Sequence, residues 1–143
     1  MLKDKVIVIT GGAGLIGKEF VKSIIENNGS AIIADINEQI GLDVKENLSK
    51  ELNTKNIDFI QLDITSKESL NKCINYLDKK YKKIDALVNN AYPRNKNYGR
   101  HFFDVEYEDF IQNLGLNLGG YFLTSQCFSN YFNIKEYLLN EGN

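Results

Sequence analysis

The sequence predicts an α/β protein in which a Rossmann-type parallel sheet is flanked by helices. Apolar runs of about five residues alternate with amphipathic stretches of about fifteen, which is typical of repeated strand–helix–strand units. The first run, VIVIT, begins with four successive aliphatic residues, as expected of a parallel strand buried on both faces. A glycine-rich turn joins it to the next helical stretch. Because crossovers between parallel strands are right-handed, we expect one α/β unit with strand order 3-2-1-4.

The elements can be assigned in order from periodicity and turn residues. The first strand covers Val6–Thr10, and the first helix covers 14–28, where Asn27-Asn28-Gly29 ends it. The other strands are predicted at 30–35, 57–63 and 84–89, and the other helices at 38–52, 66–81 and 105–137, the last broken near Gly119-Gly120. Ser66 is predicted to be the N-cap of the helix that it opens.

Composition and charge exclude several classes of protein. The 143 residues are 43% hydrophobic and 25% charged, which is ordinary for a globular protein and suggests a single domain over 1–143. The net charge is -2 with interspersed signs, so no nucleic-acid partner is expected. No apolar run approaches the ~20 residues of a membrane span, and the first residues lack a signal-peptide pattern. The isolated Cys73 and Cys127 are expected to be buried, reduced thiols, and we expect a cytoplasmic protein.

Three glycines occupy the turn between the first strand and the first helix. Gly11, Gly14 and Gly17 have the spacing G-x-x-G-x-x-G. Such a turn needs residues without a Cβ, for the turn itself and for close approach of a diphosphate, and the helix N-terminus offers N–H groups to the phosphates. Leu15 and Ile16 are expected to turn into the core at the start of the helix. The pattern predicts a dinucleotide site; a purely structural turn is the alternative.

An acidic residue, Asp35, ends the second strand about 20 residues after the glycine turn. A carboxylate in this position accepts hydrogen bonds from the adenosine ribose and repels a 2′-phosphate. The residues that follow, Ile36, Asn37 and Glu38, include no cation that could hold such a phosphate. The predicted cofactor is therefore NAD, preferred over NADP; a solvated acid in a loop is the alternative.

Four segments together resemble the short-chain dehydrogenase/reductase family over most of the chain. They are TGGAGLIG at 10–17, QLDIT at 61–65, NNA at 89–91 and LNLGGYFLTSQ at 116–126, in the family's order. The glycine spacing TGxxGxxG is that of the family's extended subgroup, whereas the other segments are similar to its ordinary short members. The chain departs from the family's NNAG motif because Tyr92 stands where that motif has glycine.

The resemblance implies an activity and a set of site residues. Members transfer hydride between a nicotinamide cofactor and a small carbonyl or alcohol substrate. The cofactor-binding residues, including those predicted above, are Gly11, Gly14, Leu15, Ile16, Asp35, Ile36, Asp63, Ile64, Asn89, Asn90 and Ala91. The resemblance implies that Asp63 and Ile64 contact the adenine and that 89–91 lies along the nicotinamide ribose. It also implies a catalytic role for Asn117, which would hold a water in the proton relay.

Each of these motifs has a structural alternative. Asp63 could cap the following helix, and Asn89-Asn90 could form a turn after a strand. Asn117 could bond a carbonyl across a helix kink near Gly119-Gly120. His101 is expected to be a loop residue, and no metal site is expected. An apolar stripe is expected in the core or on a dimer surface rather than in a substrate pocket; it comprises Phe110, Leu114, Tyr121, Phe122, Phe128 and Phe132.

The family's catalytic segment, S…YxxxK, has no convincing counterpart in the sequence. By the family's spacing, its tyrosine would fall beyond Asn143. Two YxxxK strings occur, at 76–80 and 131–135, but the second continues the preceding helix without an intervening strand or serine loop. Both are interpreted as coincidental. We therefore expect the N-terminal, cofactor-binding part of a longer domain, truncated before the catalytic segment and without catalysis of its own.

The sequence thus predicts an NAD-dependent oxidoreductase of this family. The Tyr92-Pro93-Arg94 segment resembles bacterial members linked to surface-sugar or flagellin-glycan synthesis, which suggests a sugar-type substrate. The alternatives are a non-catalytic dinucleotide-binding module and an inert fragment of a disrupted gene. The expected partners are a small carbonyl or alcohol substrate and either a second copy of the chain or a complementing chain.

Overall fold

The computed structural model describes residues 1–141, and within them four strands and five α-helices follow the predicted order. The strands are β1 (Val6–Thr10), β2 (Ser30–Asp35), β3 (Ile57–Gln61) and β4 (Ala86–Val88). The helices are α1 (Leu15–Glu26), α2 (Glu38–Glu51), α3 (Lys67–Tyr81), α4 (Tyr107–Leu114) and α5 (Gly120–Glu141). A 3₁₀ turn covers Phe102–Asp104, and a π-helical segment, Gly115–Gly119, joins α4 to α5.

The capping residues explain where two of the helices begin. Ser66 caps α3 as predicted, because its side chain accepts a hydrogen bond from the Ser69 amide at 3.2 Å. Asn37 caps α2 in the same way, accepting from the Ile40 amide at 3.0 Å. The predicted break in the last helical region is the π-helical segment, which ends directly before Gly120.

All strand pairs in the sheet are parallel, and the strand order is β3-β2-β1-β4, as predicted. The register aligns the strand ends, since Thr10 pairs with Ala34 and Asp35 pairs with Gln61. The carboxyl ends of the four strands therefore lie along one edge, where the loops that follow them meet. Within residues 1–141 no strand pairs with the outer side of β4, so this side of the sheet is open.

Helices cover both faces of the sheet and enclose two cores. Successive residues of β1 point to opposite faces, so that Val6 and Val8 belong to one core and Ile7 and Ile9 to the other. The first core includes Leu70, Cys73, Ile74 and Leu77 of α3 and Cys127, Phe128 and Tyr131 of α5; the second includes Val21 and Ile24 of α1 and Leu48 of α2. Both cysteines are buried free thiols, as predicted.

The predicted apolar stripe is divided between core and surface. Phe128 is 1% exposed, and Tyr121 and Phe132 pack against the same core. Phe110 of α4 and Phe122 of α5 are instead 57% and 65% exposed. The outer faces of these two helices therefore carry large apolar side chains that no described residue covers.

A buried carboxylate on β3, Asp58, ties the helices of both faces to the sheet. Its Oδ1 accepts from Lys45 Nζ of α2 at 2.9 Å, and its Oδ2 accepts from the Tyr81 hydroxyl at 2.9 Å and from Lys80 of α3. Burial opposes ionisation of Asp58, but these hydrogen bonds and one from the Phe59 amide outweigh it. They lower the pKa of the carboxyl to about 2.

We expect protonation of Asp58 to destabilise the fold in acid. Its pKa is about 2 when folded and about 4 in an unfolded chain. Its contribution is therefore complete above about pH 4 and is lost as the pH falls towards 2. The shift corresponds to about 2 kcal/mol of unfolding free energy. Urea unfolding of the wild type and Asp58→Asn should show this difference at neutral pH and its disappearance in strong acid.

Asp104→Asn is the matched control for this experiment. Asp104 is an exposed carboxylate in the 3₁₀ turn, so its replacement removes the same charge and should change stability by less than about 0.5 kcal/mol. A stability difference between wild type and Asp58→Asn that is the same at neutral and acid pH would contradict the role given to Asp58.

Candidate functional site

A cleft of about 670 Å³ lies at the carboxyl edge of the sheet. Ten of the twelve predicted site residues line it: Gly11, Gly14, Leu15, Ile16, Asp35, Ile36, Asp63, Ile64, Asn90 and Ala91. The other two predicted residues, Asn89 and Asn117, are not among the residues that line it. Seven residues outside these twelve also line the cleft: Gly17, Leu62, Thr65, Tyr92, Pro93, Arg94 and Leu116. The strand ends thus bring together, at one surface, separate segments of the chain that lie between Gly11 and Leu116.

The glycine turn is a site of close backbone contact. Gly11 has a φ of 63°, and a Cβ added there would lie 2.8 Å from the Ala91 Cα atom. A Cβ at Gly17 would overlap the Gly11 carbonyl oxygen and lie 2.7 Å from the Gly12 Cα atom. The first and third glycines of the pattern therefore allow α1 and the loop after β4 to pack directly on the turn.

The N-terminus of α1 faces the cleft without a competing side chain. Gly14 is its N-cap residue and makes no side-chain capping bond, and the first turn carries no acidic residue. A Cβ at Gly14 would approach only the Gly11 carbonyl oxygen, at 3.2 Å. The first turn therefore presents backbone N–H groups and the positive end of the helix dipole, an arrangement that suits an anionic group.

The prediction that Leu15 and Ile16 turn into the core is wrong. Their side chains are 84% and 66% exposed, and both line the cleft. The first turn of α1 starts at the edge of the sheet, where no strand lies beneath it. Val21 and Ile24, further along the helix, reach the core instead. The periodicity of a helix gives its apolar face but does not show where along the helix the packing partner begins.

A buried hydroxyl joins the ends of β1 and β4. Thr10 is 0% exposed, and its Oγ1 accepts hydrogen bonds from the amides of Asn90 at 2.9 Å and Ala91 at 3.0 Å. The side-chain Nδ2 of Asn90 donates in return to the Thr10 carbonyl at 3.0 Å and to the Gly11 carbonyl at 3.3 Å. Thr10 was missed as a site residue; the available signal was a polar residue ending an otherwise aliphatic buried strand.

Asn89 connects the end of β4 to α5. Its Nδ2 donates to the Tyr121 carbonyl oxygen at 3.1 Å and to Ser125 Oγ at 3.2 Å. The two adjacent asparagines therefore point to different partners, Asn90 to the glycine turn and Asn89 to the helix behind it. Asn89 acts on the cleft by holding the strand end rather than by lining it.

Asp35 is held at the rim of the cleft by two backbone amides. Its Oδ2 accepts from the Ala13 amide at 3.2 Å, and its Oδ1 accepts from the Asn37 amide at 3.1 Å. The first bond reaches back to the glycine turn, so the carboxylate has a fixed position relative to the N-terminus of α1. Ile36 follows it, 64% exposed, on the surface of the cleft.

Asp63 and Ile64 form the wall of the cleft after β3. Asp63 Oδ1 accepts from the Thr65 amide at 2.8 Å and from Thr65 Oγ1 at 2.7 Å, and its own amide donates to Ser69 Oγ at 3.0 Å. Ile64 is 6% exposed, and a Cβ at Gly120 would lie 2.6 Å from its Cδ1 atom. Asp63 therefore shapes the turn into α3, and Gly120 lets α5 pack against Ile64.

Asn117 lies in the π-helical segment and binds the loop after β4. Its Nδ2 donates to the Pro93 carbonyl at 2.9 Å and to the Asn113 carbonyl, one turn earlier, at 3.0 Å. Its Oδ1 is buried, and no described residue donates a hydrogen bond to it. The carbonyl bonds match the structural alternative for this residue, while the unsatisfied acceptor leaves one hydrogen-bonding position open.

Both tyrosine–lysine pairs lie on α3 and α5, outside the cleft. Lys80 lies 3.4 Å from the Tyr76 hydroxyl and is paired with Asp58. The Tyr131 hydroxyl donates to Asp78 Oδ1 at 2.7 Å, and Lys135 pairs with the same carboxylate. Burial and the Asp78 contact raise the pKa of Tyr131. A tyrosine that transfers protons to substrate needs the opposite shift.

The fold and the cleft define a Rossmann-type protein with an anion-accepting turn and a carboxylate at the end of β2. The family profile for short chain dehydrogenase matches residues 5–137. The chain therefore belongs to the short-chain dehydrogenase/reductase family, whose members are oxidoreductases that use nicotinamide dinucleotides and act on small molecules.

Individual relatives agree with this assignment. The chain is 43% identical to "Post-translational flagellin modification protein A" of Campylobacter coli over 138 residues, which cover 96% of this chain and 54% of that protein. It is 34% identical to "NAD-dependent glycerol dehydrogenase" of Listeria innocua over 125 residues, which cover 87% of this chain and 46% of the relative. The chain thus spans about half the length of the curated relatives it matches.

A solved structure shows the same fold. The 3-ketoacyl-(acyl-carrier-protein) reductase of Brucella melitensis, complexed with NADH, matches with a TM-score of 0.74 and 25% identity. The match covers 88% of this chain and 49% of that one. In the described part of this chain, no helix is long and apolar enough to cross a membrane. The same residues contain no group of three or more acidic, histidine or cysteine side chains placed to hold a metal ion.

We expect Gly17→Ala to destabilise the chain strongly. The added methyl group would overlap backbone atoms of Gly11 and Gly12, which cannot move without opening the turn. The unfolding free energy should fall by at least about 2 kcal/mol. Gly119→Ala is the matched control, because no atom lies within 4 Å of a Cβ there and alanine favours a helix. Urea unfolding measures both; equal losses would contradict the packing role of Gly17.

Thr10→Val is expected to loosen the junction between β1 and β4. Valine preserves the shape but leaves the buried amides of Asn90 and Ala91 without their acceptor. The expected loss is about 2–4 kcal/mol in a urea titration. Thr54→Val, which removes an acceptor for the Asn56 amide in an exposed turn, should cost less than about 1 kcal/mol. A Thr10 variant as stable as this control would show that the hydroxyl is dispensable.

Proposed function

We propose that residues 1–143 form the NAD-binding, N-terminal portion of a longer short-chain dehydrogenase/reductase domain. The observation that carries the proposal is the position of Asp35, fixed by two backbone amides at the rim of a cleft that also contains the glycine turn. A ribose would be recognised at the carboxylate and a diphosphate at the N-terminus of α1. These two groups are joined in a dinucleotide, and the proposal accounts for both features with one ligand.

The residues of the cleft fit such a cofactor. The uncapped first turn of α1 and the Cβ-free Gly14 allow the diphosphate to approach the backbone, and no acid in that turn opposes it. Ile36 and Ile64 offer apolar surface for the adenine near Asp63. Asn90 and Ala91, held by Thr10, would border the nicotinamide ribose. When bound, the cofactor supplies hydride transfer with a carbonyl or alcohol carbon.

The preference for NAD over NADP follows in this proposal from charge. A 2′-phosphate would bring negative charge next to the Asp35 carboxylate, and the residues after it supply no compensating cation. The name of the Listeria innocua relative, an NAD-dependent dehydrogenase, supports the same preference.

Asn117 is proposed to serve the proton relay of the complete active site. Both hydrogens of its Nδ2 are engaged by carbonyls, while its buried Oδ1 has no donor among the described residues. A buried acceptor left unsatisfied is costly, so a water or hydroxyl that donates to it would stabilise the site. The Asn117 side chain would hold that group in place.

The proposed substrate is a small carbonyl or alcohol compound of sugar type, used in surface-glycan synthesis. The Campylobacter coli relative is named for flagellin modification, and the Tyr92-Pro93-Arg94 segment resembles members linked to such pathways. A second candidate function is a non-catalytic dinucleotide-binding module. It is favoured by the engagement of both tyrosine–lysine pairs outside the cleft.

A cofactor titration tests the proposed function. The fluorescence of NADH should increase saturably on binding to the full chain, and NADPH should bind at least about tenfold more weakly. Asp35→Ala should weaken NADH binding by about tenfold or more, because hydrogen bonds to a charged group are worth about 1.5–3 kcal/mol. The same substitution should also reduce the difference in affinity between NADH and NADPH.

Asp104→Ala is the control for this titration, since it removes an exposed carboxylate that does not line the cleft. It should leave both affinities within about twofold, because screened surface charges contribute little at a distance. Tighter binding of NADPH than of NADH by the wild type would reject the proposed preference. Hydride transfer to carbonyl compounds by the full chain would reject the non-catalytic module.

A further inference from the structure

The charges along the cleft are separated in space. Two acidic residues, Asp35 and Asp63, line it after β2 and β3, whereas Arg94 lines it after β4. Because the strand order is β3-β2-β1-β4, the carboxylates and the guanidinium lie on opposite sides of β1. Among the described residues that line the cleft, Arg94 is the only cation. A ligand bound along the cleft therefore meets negative charge at one end and positive charge at the other.

Two tyrosines orient the Arg94 side chain. The guanidinium carbon lies 5.1 Å from the centre of the Tyr92 ring and 4.8 Å from the centre of the Tyr98 ring. The rings are perpendicular, and their hydroxyl oxygens are 2.9 Å apart. Cation–π contacts with both rings restrict the guanidinium and reduce the entropy that a ligand would otherwise have to remove.

The loop that carries Arg94 is anchored at several points. The Pro93 carbonyl accepts from Asn117 Nδ2 at 2.9 Å. The buried Asp109 of α4 accepts from Asn95 Nδ2 at 2.9 Å and from Asn97 Nδ2 at 2.8 Å. These bonds connect the loop to α4 and the π-helical segment. Arg94 thus projects from a fixed backbone rather than from a free loop.

Beyond the two cation–π contacts, the positive charge of Arg94 has no partner among the described side chains. Among the described side chains, no carboxylate lies within ion-pair distance of Arg94 and none forms a hydrogen bond with its guanidinium, whose contacts are those with Tyr92 and Tyr98. Arg100, on the same loop, behaves differently: it lies 3.5 Å from Asp109 Oδ2 and donates to Asn97 Oδ1 at 2.9 Å. Arg100 has a structural role, whereas the guanidinium of Arg94 is oriented at the cleft and still able to form hydrogen bonds.

We propose that Arg94 binds an oxyanion of the substrate, so that the reacting compound carries a phosphate or a carboxylate group. The planar guanidinium presents paired N–H donors that match either group. This inference rests on the proposed function, because a cofactor that runs from Asp35 and ends with its nicotinamide ribose at Asn90 and Ala91 leaves the Arg94 end of the cleft to the substrate. It adds a substrate class that neither the family nor the charge of Asp35 determines.

The test compares three hexoses that differ at carbon 6. D-glucose 6-phosphate, D-glucuronate and D-glucose are titrated into the full chain saturated with NAD⁺, with NMR shifts as the readout for weak binding. At least one anionic sugar should bind about tenfold or more tightly than glucose, and which one binds distinguishes phosphate from carboxylate. Arg94→Ala should abolish this advantage.

Lys96→Ala is the matched control, because Lys96 is an exposed cation on the same loop that does not line the cleft. It should leave anion binding within about twofold, as expected for a screened charge outside the site. Arg94→Gln is the second variant, which keeps most of the side-chain volume while removing the charge. NADH affinity should stay within about twofold in all three variants.

The outcomes separate the inference from the function on which it rests. Failure of the wild type to bind NADH would remove the proposed function, and the substrate site with it. NADH binding without any preference for the anionic sugars would overturn the Arg94 site alone. Equal losses of anionic-sugar affinity in the Arg94 and Lys96 variants would also overturn it, because they would indicate a general charge effect. Weaker NADH binding in Arg94→Ala and Arg94→Gln would overturn it as well, because it would indicate that Arg94 contacts the cofactor.

Discussion

The hydroxyl of Thr10 is the interaction on which the cleft depends. Parallel strands leave the first amides beyond the last paired residue without a partner, and in this chain those of Asn90 and Ala91 bond to that single buried oxygen. Asn90 then donates to the carbonyls of Thr10 and Gly11. The end of β4 is thereby joined to the glycine turn, and the two loops that border the middle of the cleft have one fixed geometry.

The cleft carries negative charge at one end and positive charge at the other, and this separation follows from the topology of the sheet. The third crossover, through α3, places β4 beside β1, so that the loop after β4 faces the loops after β2 and β3 across the glycine turn. Asp35 lies on one side and Arg94 on the other. A dinucleotide that begins at the carboxylate would run across the N-terminus of α1 towards the arginine.

The described part of the chain leaves two surfaces uncovered. One is the outer side of β4, whose three residues are half-buried; the other is the apolar face of α4 and α5, with Phe110 and Phe122 exposed. An open parallel edge favours pairing with another strand. The cleft nevertheless has its own supports, because Thr10, Asn89 and Asn90 join the ends of β1 and β4 to each other and to α5.

The sequence by itself determined the parallel sheet, the strand order and the glycine turn, because these depend on local periodicity and on short motifs with a backbone requirement. Its resemblance to a family supplied most of the ten predicted residues that line the cleft. Only the tertiary structure decided the rest. Leu15 and Ile16 are apolar at helical spacing, yet they are exposed because no strand lies beneath the first turn of α1. The roles of Thr10 and Arg94 also depend on tertiary structure. The amides that donate hydrogen bonds to Thr10 lie about 80 residues further along the chain, and Arg94 lines a cleft together with the equally distant glycine turn. Packing, rather than local pattern, sets which of these distant groups meet.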